Sequence, residues 1–538
     1  MIRDPRLVRL DSTRLRILNQ QDVDATLFAN EHVPVESSAI DELIGVTDLA
    51  DTTERLAKSD PTFFDQPPEI VRMAVTPDFH KGAGIPIGTV MATRGYLVPQ
   101  AIGNDINCGM RLHVTSLSAQ RVTGLLDDLE TKCRHLYFEG GRNIPMSRVQ
   151  RQAMFQEGLT GIAQAVPRAQ TDGLWRDFHA LNVARDIEKV HAHGTFRAGR
   201  VFGLDDFLGR DEGMNRDGQI GSIGGGNHFV EIQRIARILD GTTAHAWGLK
   251  PGMVTIMVHS GSLSIGHHCG SRFRDVLREI YPPELRHPAN GIFLLPQGDR
   301  RRAELELFWD AMSNAANFAF TNRMFLALMA ISALSATAGP FDVNLLYDAP
   351  HNLVWKEQID GEEVFLHRKG ACPARGYEAM ENTPFAYYGE PVLVPGSMGA
   401  SSFILAGRGN ADSLWSASHG AGRALSRGDA LHGHEKEFEE FMRRFRVVTP
   451  VDLRRPDIAM RRDIVEKKLE DIKKEAPYAY KGIGPIVETL TQAGIAAPVA
   501  ELEPLMTIKG VKTSRRVSII SPATLATADR HVSSLLPP

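Results

Sequence analysis

The segment 104–110 holds an aspartate and a cysteine three residues apart, Asp105 and Cys108, next to glycines that include Gly103 and Gly109. Glycines without a Cβ let the backbone approach a ligand closely. A thiolate can bridge two cations, and a neighbouring carboxylate can hold one of them. Taken alone, such a pair is more often a loop aspartate beside a small buried cysteine. Its interpretation therefore depends on the other motifs of the chain.

Three histidines lie next to predicted strands. His228 precedes an apolar alternation, His259 follows the apolar run 254–258, and His351 closely follows the run 343–347. Ligands often bind at strand ends, although a lone histidine there is more often structural. Carboxylate, thiolate and imidazole donors together suit manganese or zinc better than magnesium alone. The candidate metal ligands are Asp105, Cys108, His228, His259 and His351.

A fourth histidine, His419, stands among small residues ahead of a predicted helix that carries Arg423 and Arg427. Arginines four residues apart on a helix share one face. An unhindered imidazole with cations close behind it suits a nucleophile that attacks phosphorus, whereas the alternative is an incidental histidine at a helix start. The glycine run 224–226 and the loop 395–402 can offer backbone amides to phosphate oxygens.

Composition excludes several classes of protein. The 538 residues carry a formal net charge of -4, which excludes a globally basic nucleic-acid binder. Local arginine clusters at 300–302, 443–446 and 454–455 give weak support for a polyanionic partner, because such clusters are usually just solvated. Four cysteines without a CxxC pair indicate neither a disulfide framework nor a zinc knuckle.

The apolar patterns predict a cytosolic protein without a membrane span. The first six residues lead into a charged segment, so no secretory signal is expected. The most apolar run, 324–338, is shorter than the ~20 residues that a membrane span needs and is predicted as a buried helix. Residues 303–338 are expected to form one or two long central helices, because they are hydrophobic on most sides.

A short strand at 73–75 is predicted to run into a loop rich in glycine and proline and then into a second strand. Asp78, His80 and Lys81 lie between the strands and could face a site, or Asp78 could simply hold a turn. Helical spacing is present at 118–138 and 172–193.

Eight separated motifs resemble the RtcB RNA ligases, in that family's order: PDFHKGAGIPIG, DINCGM, GGGNHFVEI, VHSGS, YDAPHN, RKGACPA, PGSMG and SHGAGR. The similarity extends over about residues 73–510. It implies one large catalytic domain for residues 1–538, with a variable helical and loop region at 140–216. The implied fold is mixed α/β (α+β), with central β-sheets surrounded by helices.

The resemblance also implies an activity. Family members join an RNA end bearing a 3′-phosphate or 2′,3′-cyclic phosphate to a 5′-hydroxyl end, using GTP and two manganese ions (Mn2+). Cys108 would bridge the two metals, with Asp105 and His228 at one and His259 and His351 at the other. His419 would attack the α-phosphorus of GTP to form a guanylylated histidine. RNA is thus the implied partner, and archease a further one.

The same motif matching assigns residues to the nucleotide. Asn227, Asn352 and the Ser397 loop would contact phosphate or ribose, Glu231, Ser402 and Lys509 would bind guanine, and Tyr480 would stack on it. The full implied set is Asn227, His228, Phe229, Val230, Glu231, His351, Asn352, Pro395, Gly396, Ser397, Met398, Ser402, His419, Gly420, Ala421, Gly422, Tyr480 and Lys509.

The chain departs from the family pattern at three places: Leu263 stands where an arginine is usual, 141–146 lacks the usual glycine-rich segment, and Gly482 replaces a common aspartate. The phosphate contact of an arginine at position 263 could be missing, or the arginines at 300–302 could supply it. Three other functions are compatible with the sequence. They are a guanylyltransferase that caps nucleic-acid ends, a bimetallic phosphoesterase, and a non-catalytic RNA-binding paralogue.

Overall fold

A computed structural model describes residues 4–209, 212–215, 218–288 and 290–510 of the chain. The predicted domain limits at residues 1 and 538, and the end of the predicted variable region at Arg216, lie outside these ranges.

The described strands are β1 (Leu7–Arg9), β2 (Arg14–Ile17), β3 (Ala25–Phe28), β4 (Glu69–His80), β5 (Ile87–Arg94), β6 (Tyr96–Leu97), β7 (Gly109–Ser118), β8 (Phe229–Ile238), β9 (Met253–Ser260), β10 (Leu295–Pro296), β11 (Val343–Pro350), β12 (Asn352–Ile359), β13 (Glu362–Lys369), β14 (Ala371–Pro373), β15 (Pro391–Val394), β16 (Ser402–Gly407), β17 (Ser416–Ser418), β18 (Val447–Val448) and β19 (Ala496–Ile508). The described α-helices are α1 (Ser37–Thr47), α2 (Leu49–Ser59), α3 (Ala119–Thr123), α4 (Leu126–Phe138), α5 (Arg148–Ala165), α6 (Trp175–Ala180), α7 (Val183–Ile187), α8 (Asp205–Leu208), α9 (Gly241–Ala246), α10 (Leu263–Ile280), α11 (Arg302–Ala338), α12 (Glu435–Arg444), α13 (Pro456–Ala459), α14 (Arg462–Lys473) and α15 (Ile483–Gln492).

Two sheets form the framework. The first has the order β1-β2-β3-β4-β5-β13-β12, and the second has the order β11-β7-β9-β8-β19-β16-β15 with β18 beside β19. Neighbouring strands are antiparallel except for β3 with β4 and β18 with β19. Strand β9 shows why the second sheet forms: Ile256 and Val258 enter one core cluster, while Met257 enters another on the opposite face. The expected mixed fold of β-sheets surrounded by helices is confirmed.

Helix α11 runs through the centre of the molecule. All residues from Ala311 to Ala330 are buried, and the helix packs against α4, α5, α10 and β9. It is long and apolar enough to cross a membrane by length and composition, but 83% of its most apolar window is buried inside the protein. The predicted central helix is therefore one continuous element, and its apolar surface is covered by the fold.

The second sheet brings distant parts of the chain to one edge. Gly109, at the start of β7, pairs with Ser260 at the end of β9 and with Pro350 at the end of β11. Phe229, at the start of β8, pairs with His259. Because neighbouring strands are antiparallel, strand starts and strand ends alternate along this edge. The residues just outside β7, β8 and β11 therefore lie beside His259.

Two local predictions are wrong. Asp78 lies inside β4 rather than in a turn. The helix expected after His419 does not form, and residues 420–428 consist mainly of turns and bends. The backbone N–H groups of Ala424 and Leu425 donate to the carbonyl of Ala479, and Arg423 forms a β-bridge with Tyr480. These tertiary bonds replace the hydrogen bonds of a helix.

Candidate active site

Two groups of potential metal-ligand atoms occur among the described residues, and they share one thiol. Cys108, His259 and His351 form one group, and Asp105, Cys108 and His228 form the other, with the ligand atoms of each group within 4.8 Å of one another. The Cys108 sulfur lies 3.2 Å from Nε2 of His228 and 3.3 Å from Nε2 of His259. The predicted metal ligands are thus brought together at the shared edge of the sheet.

Neighbouring groups orient these ligands. Nε2 of His228 lies 2.9 Å from the Asp105 carboxylate, while its Nδ1 lies 3.0 Å from the carbonyl of Ile223. Asp105 also accepts a hydrogen bond from the backbone N–H of Leu263 at 2.7 Å. Leu263 adopts a φ of 54°, a strained value for a branched side chain. The position that departs from the family pattern therefore fixes Asp105 through its backbone.

The donor set fits a transition metal. Burial lowers the pKa of both His259 and His351 well below the usual histidine value, so both imidazoles are neutral and able to bind a cation. Burial, together with the Asp105 carboxylate, raises the pKa of the Cys108 thiol well above its usual value. A bound cation would oppose this effect by stabilising the thiolate. The mixture of sulfur, nitrogen and oxygen donors matches manganese or zinc chemistry better than magnesium.

His419 lies directly beside this cluster. Its ring centroid is 4.5 Å from that of His351 and 6.3 Å from that of His259. Nδ1 of His419 lies 2.6 Å from a carboxylate oxygen of Asp78, which is fully buried. Burial alone would raise the pKa of Asp78, but the adjacent His419 imidazole and a hydrogen bond from the Thr76 hydroxyl keep that pKa below its usual value. The Asp78 carboxylate faces Nδ1 of His419, so Nε2 is the nitrogen that can react with a substrate.

A cleft of about 580 Å³ opens over the metal ligands and His419. Most of the predicted nucleotide-binding residues line it: Asn227, His228, Phe229, Glu231, His351, Asn352, Pro395, Gly396, Ser397, Met398, His419, Gly420, Ala421, Gly422, Tyr480 and Lys509. Val230 and Ser402 are not among its lining residues. Val230 is part of the hydrophobic core. Ser402 accepts a hydrogen bond from the N–H of Gly396 at 3.2 Å and so holds the loop 395–402 in place.

Asn352 has a structural role beside the cleft. The amide of Asn352 donates to the carbonyl of Asp105 at 3.1 Å and accepts from the N–H of Gly370 at 2.8 Å. It therefore ties the Cys108 loop to the end of β13. Asn227 lines the cleft, whereas the glycines at 224–226 are not among the described lining residues.

Glu231 and Lys509 are a pair of buried polar groups that line the cleft. Burial raises the pKa of Glu231 to about 7, although Thr507 and Gln233 donate hydrogen bonds to it. Burial lowers the pKa of Lys509 to about 8, and its ammonium donates to the carbonyls of Gly226 and His228 at 2.7 Å each. Such a pair offers a hydrogen-bond acceptor and a donor to a polar base.

Arg423 and Arg427 converge on Glu475, which sequence reasoning missed. Arg423 donates to this carboxylate at 3.0 Å and Arg427 at 2.8 Å, and the Tyr480 hydroxyl donates to it as well. The guanidinium of Arg423 lies 5.2 Å from the centre of the Tyr480 ring. The two arginines do not share a helix face as predicted, and a buried carboxylate 48 to 52 residues away holds both of them.

Lys369 and Arg274 also line the cleft, and the Lys369 side chain lies close to Gly103. Burial lowers the pKa of Lys369 to about 8, and its ammonium donates to the carbonyl of Ile85 at 2.6 Å. His80 and Lys81 line the cleft as well, as the sequence suggested. Lys369 belongs to the motif RKGACPA, whereas none of the eight motifs contains Arg274.

The arginines at 300–302 do not take the place of an arginine at position 263. Arg300 pairs with Asp65 and Arg302 with Asp299, and none of the three belongs to the described lining of the cleft. That prediction is wrong. Leu263 is the first residue of α10, and Arg274 lies three turns further along the same helix. The guanidinium of Arg274 lines the cleft.

Arg323 of α11 holds the cysteine loop from inside the core. The completely buried guanidinium donates to the carbonyls of Asn107 and Ser260 at 2.6 and 3.0 Å, and it pairs with Asp348 at 2.8 Å. Asn107 has a φ of 55°, so the loop turns sharply just before Cys108. One buried cation thus joins the start of β7 to the end of β9.

Fold and site together define a mixed α/β protein with a possible cysteine–histidine metal site in a cleft of nucleotide size. The sequence model of the RtcB family, described as tRNA-splicing ligase RtcB, matches residues 64–510. The chain belongs to the RtcB family.

Relatives of known name agree with this assignment. The chain is 31% identical over 463 residues to the tRNA-splicing ligase RtcB of Thermococcus kodakarensis, an alignment that covers 81% of this chain and 87% of the relative. It is 33% identical over 461 residues to the RNA-splicing ligase RtcB of Mycobacterium tuberculosis, covering 82% and 98%. It is 30% identical over 453 residues to the tRNA-splicing ligase RtcB of Methanococcus maripaludis, covering 81% and 87%.

Proposed function

We propose that this protein is an RNA ligase that joins a 3′-phosphate or 2′,3′-cyclic phosphate end to a 5′-hydroxyl end, with GTP as co-substrate and two manganese ions. One observation carries the proposal: the two ligand groups share Cys108 and adjoin His419, whose Nδ1 faces Asp78. The names of the relatives supply the class of reaction and the RNA substrate.

Cys108 would belong to both metal sites, with Asp105 and His228 completing one and His259 and His351 the other. The cations, when bound, would neutralise negative charge that develops on the transferred phosphates. Asp78 would hold His419 so that Nε2 faces the cleft. Glu231 and Lys509 would bind guanine beside Tyr480, and Arg274 and Lys369, which also line the cleft, would bind the RNA phosphate.

A 3′-phosphate end needs only GTP and the 5′-hydroxyl end as co-reactants, and a cyclic phosphate needs one water molecule in addition. Nε2 of His419 forms a bond to the α-phosphorus of GTP, and pyrophosphate leaves. The RNA 3′-phosphate oxygen then takes the guanylate from His419, and the 5′-hydroxyl displaces GMP to form the phosphodiester. A cyclic phosphate first adds water to give the 3′-phosphate. Asp78 would stabilise the positive imidazole while His419 carries the guanylate.

Labelled GTP tests the proposal. With manganese present, the wild-type protein should acquire a covalent label that is absent in His419→Ala. His434→Ala, which changes a half-buried histidine outside the described cleft lining, is the control and should keep the label. The absence of label in the wild type would refute the proposal and favour a bimetallic phosphoesterase or a binding protein.

RNA with a 3′-phosphate and a separate RNA with a 5′-hydroxyl then distinguish sealing from capping. Sealing produces one longer strand, whereas capping stops at a guanylylated 3′ end. We favour sealing because Arg274 supplies a cleft cation despite Leu263. We further propose that the enzyme acts in the cytoplasm and that archease raises its turnover. The second point is tested by adding archease to a multiple-turnover assay.

A further inference from the structure

A second concave site, the arginine groove, lies between α4, α12, α14 and the segment that follows β18. Its volume is about 280 Å³. The charged residues that line it are Glu130, Arg134, Arg443, Arg444, Arg446, Asp452 and Arg454. Arginines thus outnumber carboxylates in this described lining, although the whole chain has a net charge of -4. The groove is a local concentration of positive charge.

A buried carboxylate preorganises the groove. Glu130 is only 3% exposed and accepts hydrogen bonds from Arg134 at 2.6 Å and from Arg446 and Arg454 at 2.5 Å each. Arg134, itself 8% exposed, also donates to the carbonyl of Thr449. One carboxylate cannot neutralise three guanidinium groups, so it holds them together while positive charge remains. Fixed guanidinium groups bind anions with a smaller entropic cost than mobile ones.

The other acids near the groove offset part of this charge, and Glu440 lies 2.7 Å from Arg444. Asp452 lies 3.5 Å from Arg134 and 3.2 Å from Arg454. Asp127 lies 2.7 Å from Arg446, but it is 87% exposed, so water screens that ion pair. Arg443 is exposed at the end of α12.

Strand β19 connects the backbone beside the groove with the active-site cleft. The carbonyl of Arg446 accepts a hydrogen bond from Thr507, and the N–H of Lys509 donates to the carbonyl of Val448 at 2.9 Å. Lys509 lines the cleft. At about 3.3 Å per residue along a strand, Arg446 lies on the order of 10 Å from the cleft wall. A single strand with one end in the cleft could therefore reach the groove within a few nucleotides.

We propose that the arginine groove binds backbone phosphates of the substrate RNA a few nucleotides from the reacting end. The choice of RNA as the polyanion rests on the proposed function, while the groove geometry independently indicates an anionic ligand. Guanidinium groups match phosphate in charge and in bidentate geometry. The groove would add affinity that does not depend on base sequence, because it contacts phosphates and not bases.

Binding measured without GTP or manganese isolates this contact. Fluorescence anisotropy of the full-length protein would compare a 12-nucleotide RNA and a 3-nucleotide RNA, both with a 3′-phosphate. The groove variant is Arg443→Gln with Arg454→Gln. The matched control is Arg300→Gln with Arg302→Gln, which removes two exposed, acid-paired arginines outside the groove. Each double variant loses the same amount of charge.

The expected result concerns the long RNA. For single-stranded RNA, log affinity falls linearly with log salt concentration. Each phosphate contact that is removed makes this slope less steep by about 0.7. The groove variant should therefore have a slope for the 12-nucleotide RNA that is less steep by about 1.4, with no change for the 3-nucleotide RNA. The control should match the wild type for both RNAs, and all three proteins should acquire the GTP label equally.

An unchanged slope for the long RNA in the groove variant would overturn the inference. Unchanged RNA binding with abolished binding of a polyglutamate peptide would overturn it in favour of an acidic protein partner. Failure of the proposed function has a different signature, because a wild type that does not label with GTP still yields the salt-slope comparison. Conversely, an unchanged slope refutes the groove while guanylylation stands.

Discussion

Cys108 is the side chain on which both candidate metal-ligand groups depend. It is 4% exposed, and burial keeps its thiol protonated unless a cation compensates. Metal binding should therefore release a proton from Cys108 and weaken as pH falls. A serine or alanine at this position removes one ligand from each group at the same time.

Replacing Cys108 by alanine should abolish both high-affinity manganese binding and guanylylation, because two cations lose a shared ligand. Metal content after dialysis and covalent label from GTP measure the two effects. Cys133→Ala is the control, since Cys133 is a buried cysteine of α4 outside the described ligand groups. Wild-type labelling in Cys108→Ala would contradict the bridging role.

Arg274 is a cleft residue that we expect to affect sealing rather than metal binding. It lines the cleft beside Asn104 and Asp105, and it is half-buried on α10. If it binds the RNA phosphate, Arg274→Ala should slow sealing about tenfold or more, which corresponds to a charge-assisted hydrogen bond of about 1.5–3 kcal/mol. GTP labelling of His419 should stay near normal.

Arg272→Ala provides the matched control for Arg274, because Arg272 is exposed on the same helix and is not in the described cleft lining. Rates of labelling and of sealing measured separately distinguish the two steps. Equal sealing rates in Arg274→Ala and Arg272→Ala would show that the RNA phosphate does not use this guanidinium.

At the scale of elements, α11 supports the site without contributing a metal ligand. Its Arg323 is fully buried and spans the Asn107 carbonyl, the Ser260 carbonyl and the Asp348 carboxylate. Arg111 also pairs with Asp348, at 3.1 Å. This network fixes the spacing between Cys108 and His259, because its two carbonyls adjoin those residues.

Arg323→Met should lower the free energy of unfolding by about 3 kcal/mol, since it breaks a buried ion pair and leaves two carbonyls without their donor. It should also weaken manganese binding. Arg302→Met at the exposed start of the same helix should cost less than about 1 kcal/mol. Chemical denaturation and metal titration measure both effects. A destabilised Arg323→Met protein with wild-type metal affinity would show that Arg323 contributes to stability but not to metal binding.

The element scale also shows what sequence patterns can predict. The buried strand at 254–258 and the central helix at 303–338 were predictable, because their apolar periodicity is set by local burial. The absence of a helix around Arg423 was not predictable, since the backbone N–H groups of Ala424 and Leu425 donate to the carbonyl of Ala479. Glu475 was missed for a related reason: its importance comes from partners 48 to 52 residues away.

At the scale of the whole molecule, the residue types of the metal ligands could be predicted from the sequence, but their proximity in the fold could not. Cys108 and His259 are 151 residues apart, and the antiparallel order β11-β7-β9-β8 is what places them 3.3 Å apart. No residue pattern in a single sequence reports that strand order directly. The family resemblance supplied the grouping that local patterns could not.

Because its ligands come from separate parts of the chain, the site exists only when the second sheet is complete. Manganese and GTP should therefore bind the folded protein and stabilise it. A ligand at about 100 times its Kd adds about 2.7 kcal/mol to stability. The Tm should rise with manganese concentration and rise further with GTP. It should return to its metal-free value when EDTA is added.

In Cys108→Ala the manganese-dependent rise should disappear, because the folded state no longer offers the shared ligand. His419→Ala should keep that rise, since His419 belongs to neither described ligand group. Thermal unfolding followed by circular dichroism over a manganese series measures each shift. An equal rise in Cys108→Ala and the wild type would mean that manganese stabilises the protein elsewhere. The thermodynamic link between this sheet edge and the fold would then be refuted, even if Cys108 were still needed for catalysis.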